Sequence, residues 1–289
     1  MTTIHERVAA ARRRLREAGI APDEADLDAR LLAEHVLGWD TARFFSAADE
    51  SEPPGFASGY ETLVARRAAR EPISYITGRH EFWNLSFEVS PAVLIPRPET
   101  ELVVEVGLEL LKGPGPRGVH SWAIADVCTG SGCVAVALAH ECRSAFVIAT
   151  DVSDAALDVA RRNAARHRAD ARIRFTNADL LAGIVGAFDL IVSNPPYVPE
   201  RERAALEPEV REHEPAAALF GGADGLAVIR RLIAEAPPHL EPGGALVFEI
   251  GAGQADEVGQ LISRTPGLTM VGLRPDLQGI PRTAIARRT

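Results

Sequence analysis

The 289-residue chain is 46% hydrophobic, enough for one large globular domain and a small one, and no apolar run approaches the roughly 18 residues of a membrane span. Its formal charge of −9 excludes the dense cationic surface on which non-specific nucleic-acid binding depends. Three cysteines without metal-type spacing, and an N-terminus without an apolar signal core, point to a reduced, cytoplasmic protein.

Residues 1–80 read as a small helical bundle. One helix spans residues 5–18 and stops at Gly19. A second opens at Asp23, Glu24 and Asp26 behind Pro22, carries Leu27, Leu31, Leu32 and Val36 at helical spacing, and ends at Gly38. A third spans residues 59–70 and stops before Pro72. The runs Arg12-Arg13-Arg14 and Arg66-Arg67 read as solvated helix faces.

Residues 81–98 change character. Phe82, Leu85, Phe87, Val89, Val93, Leu94 and Ile95, interrupted by Asn84 and Pro91, predict a β-hairpin linker. A helix over 101–111 and a Gly-Pro loop over 112–116 follow. From residue 122 onward strands and helices alternate. Strands are predicted over 122–127, 145–150, 171–176, 188–193 and 244–250, with helices over 133–140, 154–167, 223–236 and 254–264. Segments 268–273 and 284–287 close the chain as two strands in hairpin order. Alternating βα units imply an α/β fold with a Rossmann-like, mostly parallel sheet, and the paired end strands add one antiparallel strand. The expected division is a helical domain over 1–80, a hairpin linker over 81–98 and an α/β domain over 99–289.

Asn194-Pro195-Pro196-Tyr197 follows the apolar run 188–193, where a parallel strand leaves the sheet. Open α/β sheets bind their ligands at such strand ends. Two prolines stiffen the backbone and leave only acceptors. The Asn194 oxygen and the Pro195 carbonyl suit the two hydrogens of a planar NH2 group, and Tyr197 offers it an aromatic stacking face. These four residues are the expected catalytic and substrate-binding group. The bland alternative is a Pro-rich turn with Asn194 as its cap.

Cys128-Thr129-Gly130-Ser131-Gly132 joins the first strand of the sheet to its helix, and Asp151 ends the second strand. Glycines let a ligand approach the backbone, and an acid at the second strand end suits ribose hydroxyls. Gly130-x-Gly132-x-x-Ala135 also matches the dinucleotide fingerprint, so this stretch by itself leaves a nicotinamide dehydrogenase and an S-adenosylmethionine methyltransferase equally open. The dehydrogenase needs a proton-relay group. The only lysine, Lys112, lies in the Gly-Pro loop, and His80, His120, His140, His167, His213 and His239 have no motif context. The tetrapeptide favours methyl transfer. Asp179 and Leu180 follow the third strand, where they either bracket an adenine or merely cap the next segment.

With these motifs in place the chain resembles the HemK/PrmC-type peptide chain release factor glutamine methyltransferases over nearly its whole length. The resemblance is carried by residues 31–38 and 71–78, by Leu94-Ile95-Pro96-Arg97-Pro98-Glu99-Thr100-Glu101, by 126–133 and 192–197, and by 212–215, 221–226 and 249–251. It implies S-adenosylmethionine as cofactor, no metal, and bacterial class-I release factors as partners. The group methylated is the glutamine amide of a Gly-Gly-Gln tripeptide, with residues 1–80 docking the protein substrate. It further implies Arg97 and Glu99 as substrate-binding residues and Cys128, Thr129, Gly130, Ser131, Gly132, Asp151, Asp179, Leu180 and Asn194 as cofactor-binding ones. Cys128, Ala216 and Pro281 depart from the pattern, which usually has Gly, Arg and an acid there. The runner-up is N6-methylation of adenine in nucleic acid through the same tetrapeptide; the charge of −9 speaks against it.

Overall fold

A computed structural model describes residues 2–112 and 121–289. The predicted loop residues 113–116 and His120 lie outside the described residues. The chain divides into two compact units, one of residues 1–78 and 207–213, the other of 79–206 and 214–289.

The first unit is helical. Helix Ile4–Glu17 is opened by a capping box in which Thr3 accepts from the Glu6 amide and Glu6 accepts from the Thr3 amide. Its Ile4, Val8, Ala11 and Leu15 are buried, one apolar stripe at helical spacing. Helix Pro22–Leu37 turns Ala25, Asp28, Ala29, Leu32 and Ala33 inward, whereas Leu27 is exposed. The predicted stripe was therefore rotated: small alanines allow close helix packing, and the larger leucine lies outside it. Helix Phe56–Ala68 buries Phe56, Tyr60 and Val64. Two short helices, Thr41–Ala47 and Ile73–Thr77, were not predicted; the first has Asp40 as its N-cap.

Arg67 corrects the reading of Arg66-Arg67 as a solvated face, because only 1% of its surface is exposed. Its guanidinium donates to Asp28 at 2.6 Å, to Glu24 at 2.6 Å and to Glu209 at 2.7 Å. Glu209 sits on the short helix Pro208–His213, the segment that joins this unit from far along the chain.

The second unit opens with a hairpin of β1 (Arg79–Phe82) and β2 (Leu85–Glu88). Its two turn residues, Trp83 and Asn84, have φ of 53° and 54°, as a two-residue type I′ turn requires. The hairpin closes at Glu88; Val93–Ile95, read as part of it, are irregular, with Pro91 and Pro96 breaking the ladder. Seven strands follow: β3 (Trp122–Val127), β4 (Ala145–Asp151), β5 (Ile173–Asn177), β6 (Phe188–Ser193), β7 (Leu240–Glu249), β8 (Leu268–Pro275) and β9 (Pro281–Arg288). They form one sheet in the order β5-β4-β3-β6-β7-β9-β8. The first five run parallel, and β9 is inserted antiparallel between β7 and β8. The predicted fold class is thus what the chain adopts.

Both faces of the sheet are covered, which is why its strands read as continuous apolar runs. Ile124, Leu190 and Val192 pack on one side with Val103, Val106 and Leu138. Ala125, Ile191 and Leu246 pack on the other with Leu232, Ile233 and Ile262. The strand order reverses at β3, whose neighbours are β4 and β6. That reversal opens a crevice beyond the carboxyl ends of these three strands.

Candidate active site

The crevice holds a cavity of about 250 Å³. Its floor is built first by the turn after β3. Asp126, buried at the strand end, accepts from the Thr129 hydroxyl at 2.6 Å and from the Ala135 amide at 3.1 Å, so it ties the turn to the helix that follows. Gly132 has φ +79°, and a Cβ there would lie 3.0 Å from the Cβ of Ala160. The turn and the neighbouring helix Asp154–Arg166 therefore meet backbone to backbone.

Burial pushes the Asp126 carboxyl up to about 7, against the pull of its two donors. The unfolded chain ionises near 3.8 and the fold resists ionising until about 7. This group's penalty is therefore absent below pH 4, grows between pH 4 and 7, and is constant above. Asp126→Asn removes it. Relative to the natural protein the variant is expected to gain stability as pH rises from 4 to 7, by up to ~4 kcal/mol. Urea denaturation of both proteins across that range checks this; parallel curves would remove Asp126 as the source.

Asp151, at the end of β4, accepts from the Gly130 amide at 2.9 Å and from the Ser153 amide at 3.0 Å through different oxygens. Each oxygen keeps a further lone pair for a ligand. The Thr150 hydroxyl donates to the Leu180 carbonyl at 2.9 Å and so joins the end of β4 to the loop after β5. The Asp179 carboxylate is paired with Arg231 at 3.0 Å, both of them half exposed.

The third wall is the loop after β6. The Ser193 hydroxyl donates to the Val127 carbonyl at 2.7 Å, which locks the ends of β6 and β3 together. Asn194 donates its amide NH2 to the Thr100 hydroxyl at 2.9 Å, Thr100 donates to Glu249 at 2.6 Å, and the Tyr197 hydroxyl donates to the other oxygen of Glu249 at 2.8 Å. Burial pushes the Glu249 carboxyl above its ordinary range, against these two hydroxyls that hold it down. Behind Tyr197 the backbone is crowded: a Cβ on Gly225, at φ +80°, would lie 2.2 Å from the Tyr197 carbonyl oxygen. Arg97 donates to Glu214 at 2.5 Å, and Glu214 also accepts from the Ile95 amide at 3.2 Å, so this buried acid holds the loop before Thr100.

Of the residues expected from sequence, Cys128, Thr129, Gly130, Ser131, Asp151, Asp179, Leu180, Asn194 and Pro196 line this one cavity. Gly132, Pro195, Tyr197, Arg97 and Glu99 do not. Gly132 serves helix packing, Tyr197 turns its hydroxyl to Glu249, and Arg97 is engaged by Glu214. Sequence reasoning overlooked Asp126, Thr100, Glu249 and Arg231 as members of the site. A signal existed for two of them: Asp126 and Glu249 are acids that directly follow the apolar runs 122–125 and 245–248 near strand ends, where an unpaired carboxylate is too costly to keep. Ala92, Val93, Leu94, Ala217 and Ala218 complete an apolar rim.

Comparison with known proteins gives this arrangement a context. The PrmC N-terminal domain family matches residues 6–78, and the methyltransferase small domain family matches residues 108–210. The release factor glutamine methyltransferase of Rhodospirillum rubrum is 42% identical over 275 residues, covering 95% of this chain and 82% of that protein. The one from Mycolicibacterium smegmatis is 42% identical over 291 residues, covering 100% and 99%. Among solved structures, the hMettl16 catalytic domain in complex with a MAT2A 3'UTR hairpin is 17% identical with a TM-score of 0.55, covering 81% of each chain; this likeness is one of fold.

Proposed function

This chain belongs to the release factor glutamine methyltransferase family, and on that premise we propose that it transfers a methyl group from S-adenosylmethionine to the glutamine side-chain amide in the Gly-Gly-Gln tripeptide of bacterial class-I release factors, in the cytoplasm. The observation that supports this reading best is that one cavity joins the glycine turn and Asp151 to Asn194 and Pro196. On this reading a cofactor site and an amide-recognition site are contiguous.

The donor set fits the cofactor. Asp151 offers oxygens to ribose hydroxyls and the turn at residues 128–131 offers backbone to the amino-acid end. Asp179 and Leu180 flank the place for the base. When bound, S-adenosylmethionine supplies a methyl made electrophilic by the sulfonium. An amide nitrogen is a poor nucleophile because its lone pair is delocalised into the carbonyl. The lever left to the protein is orientation. Asn194 Oδ1, the acceptor that lines the cavity, takes one amide hydrogen and so orients the nitrogen; the Pro195 carbonyl, expected to take the other, does not line the cavity. Such positioning contributes about 7–11 kcal/mol at its favourable limit. As the N–C bond formed, the S–CH3 bond of the sulfonium would break to leave a neutral thioether, and the nitrogen would release one proton to water.

Asp151→Ala is expected to weaken S-adenosylmethionine binding by about 1.5–3 kcal/mol, the range for hydrogen bonds to a charged group. Calorimetry checks this, and the natural protein should not bind NAD. A glutamine in a tripeptide offers little surface, so remote contacts have to position it. We assign those contacts to the helical unit of residues 1–78. The intact release factor is accordingly a far better substrate, in kcat/KM, than a short Gly-Gly-Gln peptide. Equal values for both would remove the docking role. Mass spectrometry of a release factor incubated with the protein and S-adenosylmethionine should place one methyl on the Gly-Gly-Gln peptide. A methyl found on adenine in DNA, with none on the release factor, would replace this reading by its rival.

A further inference from the structure

Asn194 serves as an acceptor toward a substrate NH2 only if its own oxygen, and not its own NH2, faces the cavity. Nothing in an isolated asparagine decides this, because the two ends of the amide have the same shape. Its neighbours decide it here. The Thr100 hydroxyl has a single proton and donates it to Glu249 Oε2 at 2.6 Å. What remains at Thr100 Oγ1 is lone pairs, and these accept the Asn194 NH2 at 2.9 Å. Glu249 Oε1 is occupied in turn by the Tyr197 hydroxyl at 2.8 Å. Glu249 thus takes one hydroxyl at each oxygen, Thr100 at Oε2 and Tyr197 at Oε1. Thr100 and Glu249 are each 1% exposed, so water does not compete for these bonds.

The four residues come from three places in the fold. Thr100 ends the 3-10 turn Pro98–Thr100, Glu249 ends β7, and Asn194 and Tyr197 belong to the loop after β6. We propose that Thr100, Glu249 and Tyr197 are positioning residues for methyl transfer: the Glu249 carboxylate fixes the Thr100 hydroxyl, and the hydroxyl fixes the Asn194 amide with its oxygen toward the substrate nitrogen. Without the relay nothing holds the amide with its oxygen inward, and an inward NH2 presents a donor to a donor. The inference rests on the reading of Asn194 given under the proposed function.

Single-turnover kinetics on an intact release factor test it, with thermal melting of every variant. Thr100→Val keeps the shape and removes the hydroxyl. It should lower kcat about tenfold or more, since loss of orientation acts on the transition state. KM and the affinity for S-adenosylmethionine should stay within about twofold. Thr100→Ser restores the hydroxyl and should bring kcat back to within about threefold of the natural rate. Glu249→Met removes both acceptors, frees the Thr100 hydroxyl proton to turn toward Asn194 and should slow transfer as Thr100→Val does. If Thr100→Val does not fold, a fast Thr100→Ser with a slow Glu249→Met supports the relay, and a Glu249→Met at the natural rate overturns it. So does a Thr100→Val that keeps more than half of kcat, or a Thr100→Ser as slow as Thr100→Val. Asn194→Ala in the same assay separates the two levels. Full activity there removes the reading of Asn194 itself, whereas a slow Asn194→Ala beside an unimpaired Thr100→Val removes only the relay.

Discussion

Asn194→Ala is expected to lower the rate of methyl transfer by about 10²–10³-fold, or about 2.7–4 kcal/mol of barrier. The side chain lines the cavity at the end of β6, and its NH2 is already committed to Thr100. Removing it takes away the one side-chain acceptor for the substrate amide. It removes no core packing, because Asn194 is partly exposed, and Thr100 keeps its bond to Glu249. Cofactor affinity and melting temperature should therefore change little. Asn194→Asp is the finer probe. It keeps an oxygen toward the substrate, but it sets a second acceptor against Thr100, whose proton belongs to Glu249, and places a like charge near that buried acid. It should fall below the natural rate through misorientation. A variant Asn194→Ala that keeps more than about a tenth of the natural rate is incompatible with the acceptor role.

Arg67→Ala is expected to destabilise the protein by about 3–5 kcal/mol, the range for removing one partner of a buried ion pair. Asp28 is 3% exposed at its side chain and would be left a poorly hydrated anion, beside Glu209, which is 14% exposed and keeps only its pair with Arg70 at 2.6 Å. The loss should depend little on salt, since screening barely reaches buried groups. Glu24, half exposed, contributes least and serves as the internal control: Glu24→Ala should cost under ~1 kcal/mol. Replacing Arg67 and Asp28 together with Met and Leu should recover part of the loss, because an apolar pair leaves no orphaned charge. Urea denaturation at neutral pH reads all three variants against the natural protein. A loss below about 1 kcal/mol for Arg67→Ala would show that water reaches the cluster. Because Glu209 lies on the segment 207–213, Arg67→Ala should also raise proteolytic cutting there before global unfolding.

The elements that periodicity describes were legible without coordinates. The strand at residues 188–193 has the predicted bounds, because a strand buried on both faces is a continuous apolar run ended by Asn194 and proline. The long helices of the first unit and the βα alternation followed from the same logic. What periodicity cannot describe was lost or displaced. Helices Thr41–Ala47, Ile73–Thr77 and Ala216–Leu219 are too short to show a repeat. Val93–Ile95 are apolar like a strand, but they form an irregular loop with no ladder partner.

The sequence by itself determined the α/β class, the glycine turn after the first strand of the sheet, the acid at the second strand end, and the tetrapeptide after the fourth. These are local patterns, and each carries its own physical meaning: backbone freedom, a carboxylate, a stiff acceptor loop. Tertiary structure alone decided who meets whom. Thr100 and Glu249 are 149 positions apart, Asn194 and Thr100 are 94 apart, and Arg67 and Glu209 are 142 apart. Sheet order brings β6 and β7 side by side and so sets Asn194 beside the end of Glu249's strand. Burial then turns that proximity into function, because a carboxylate or an arginine removed from water must find every partner it can, and at that site only a few groups are within reach.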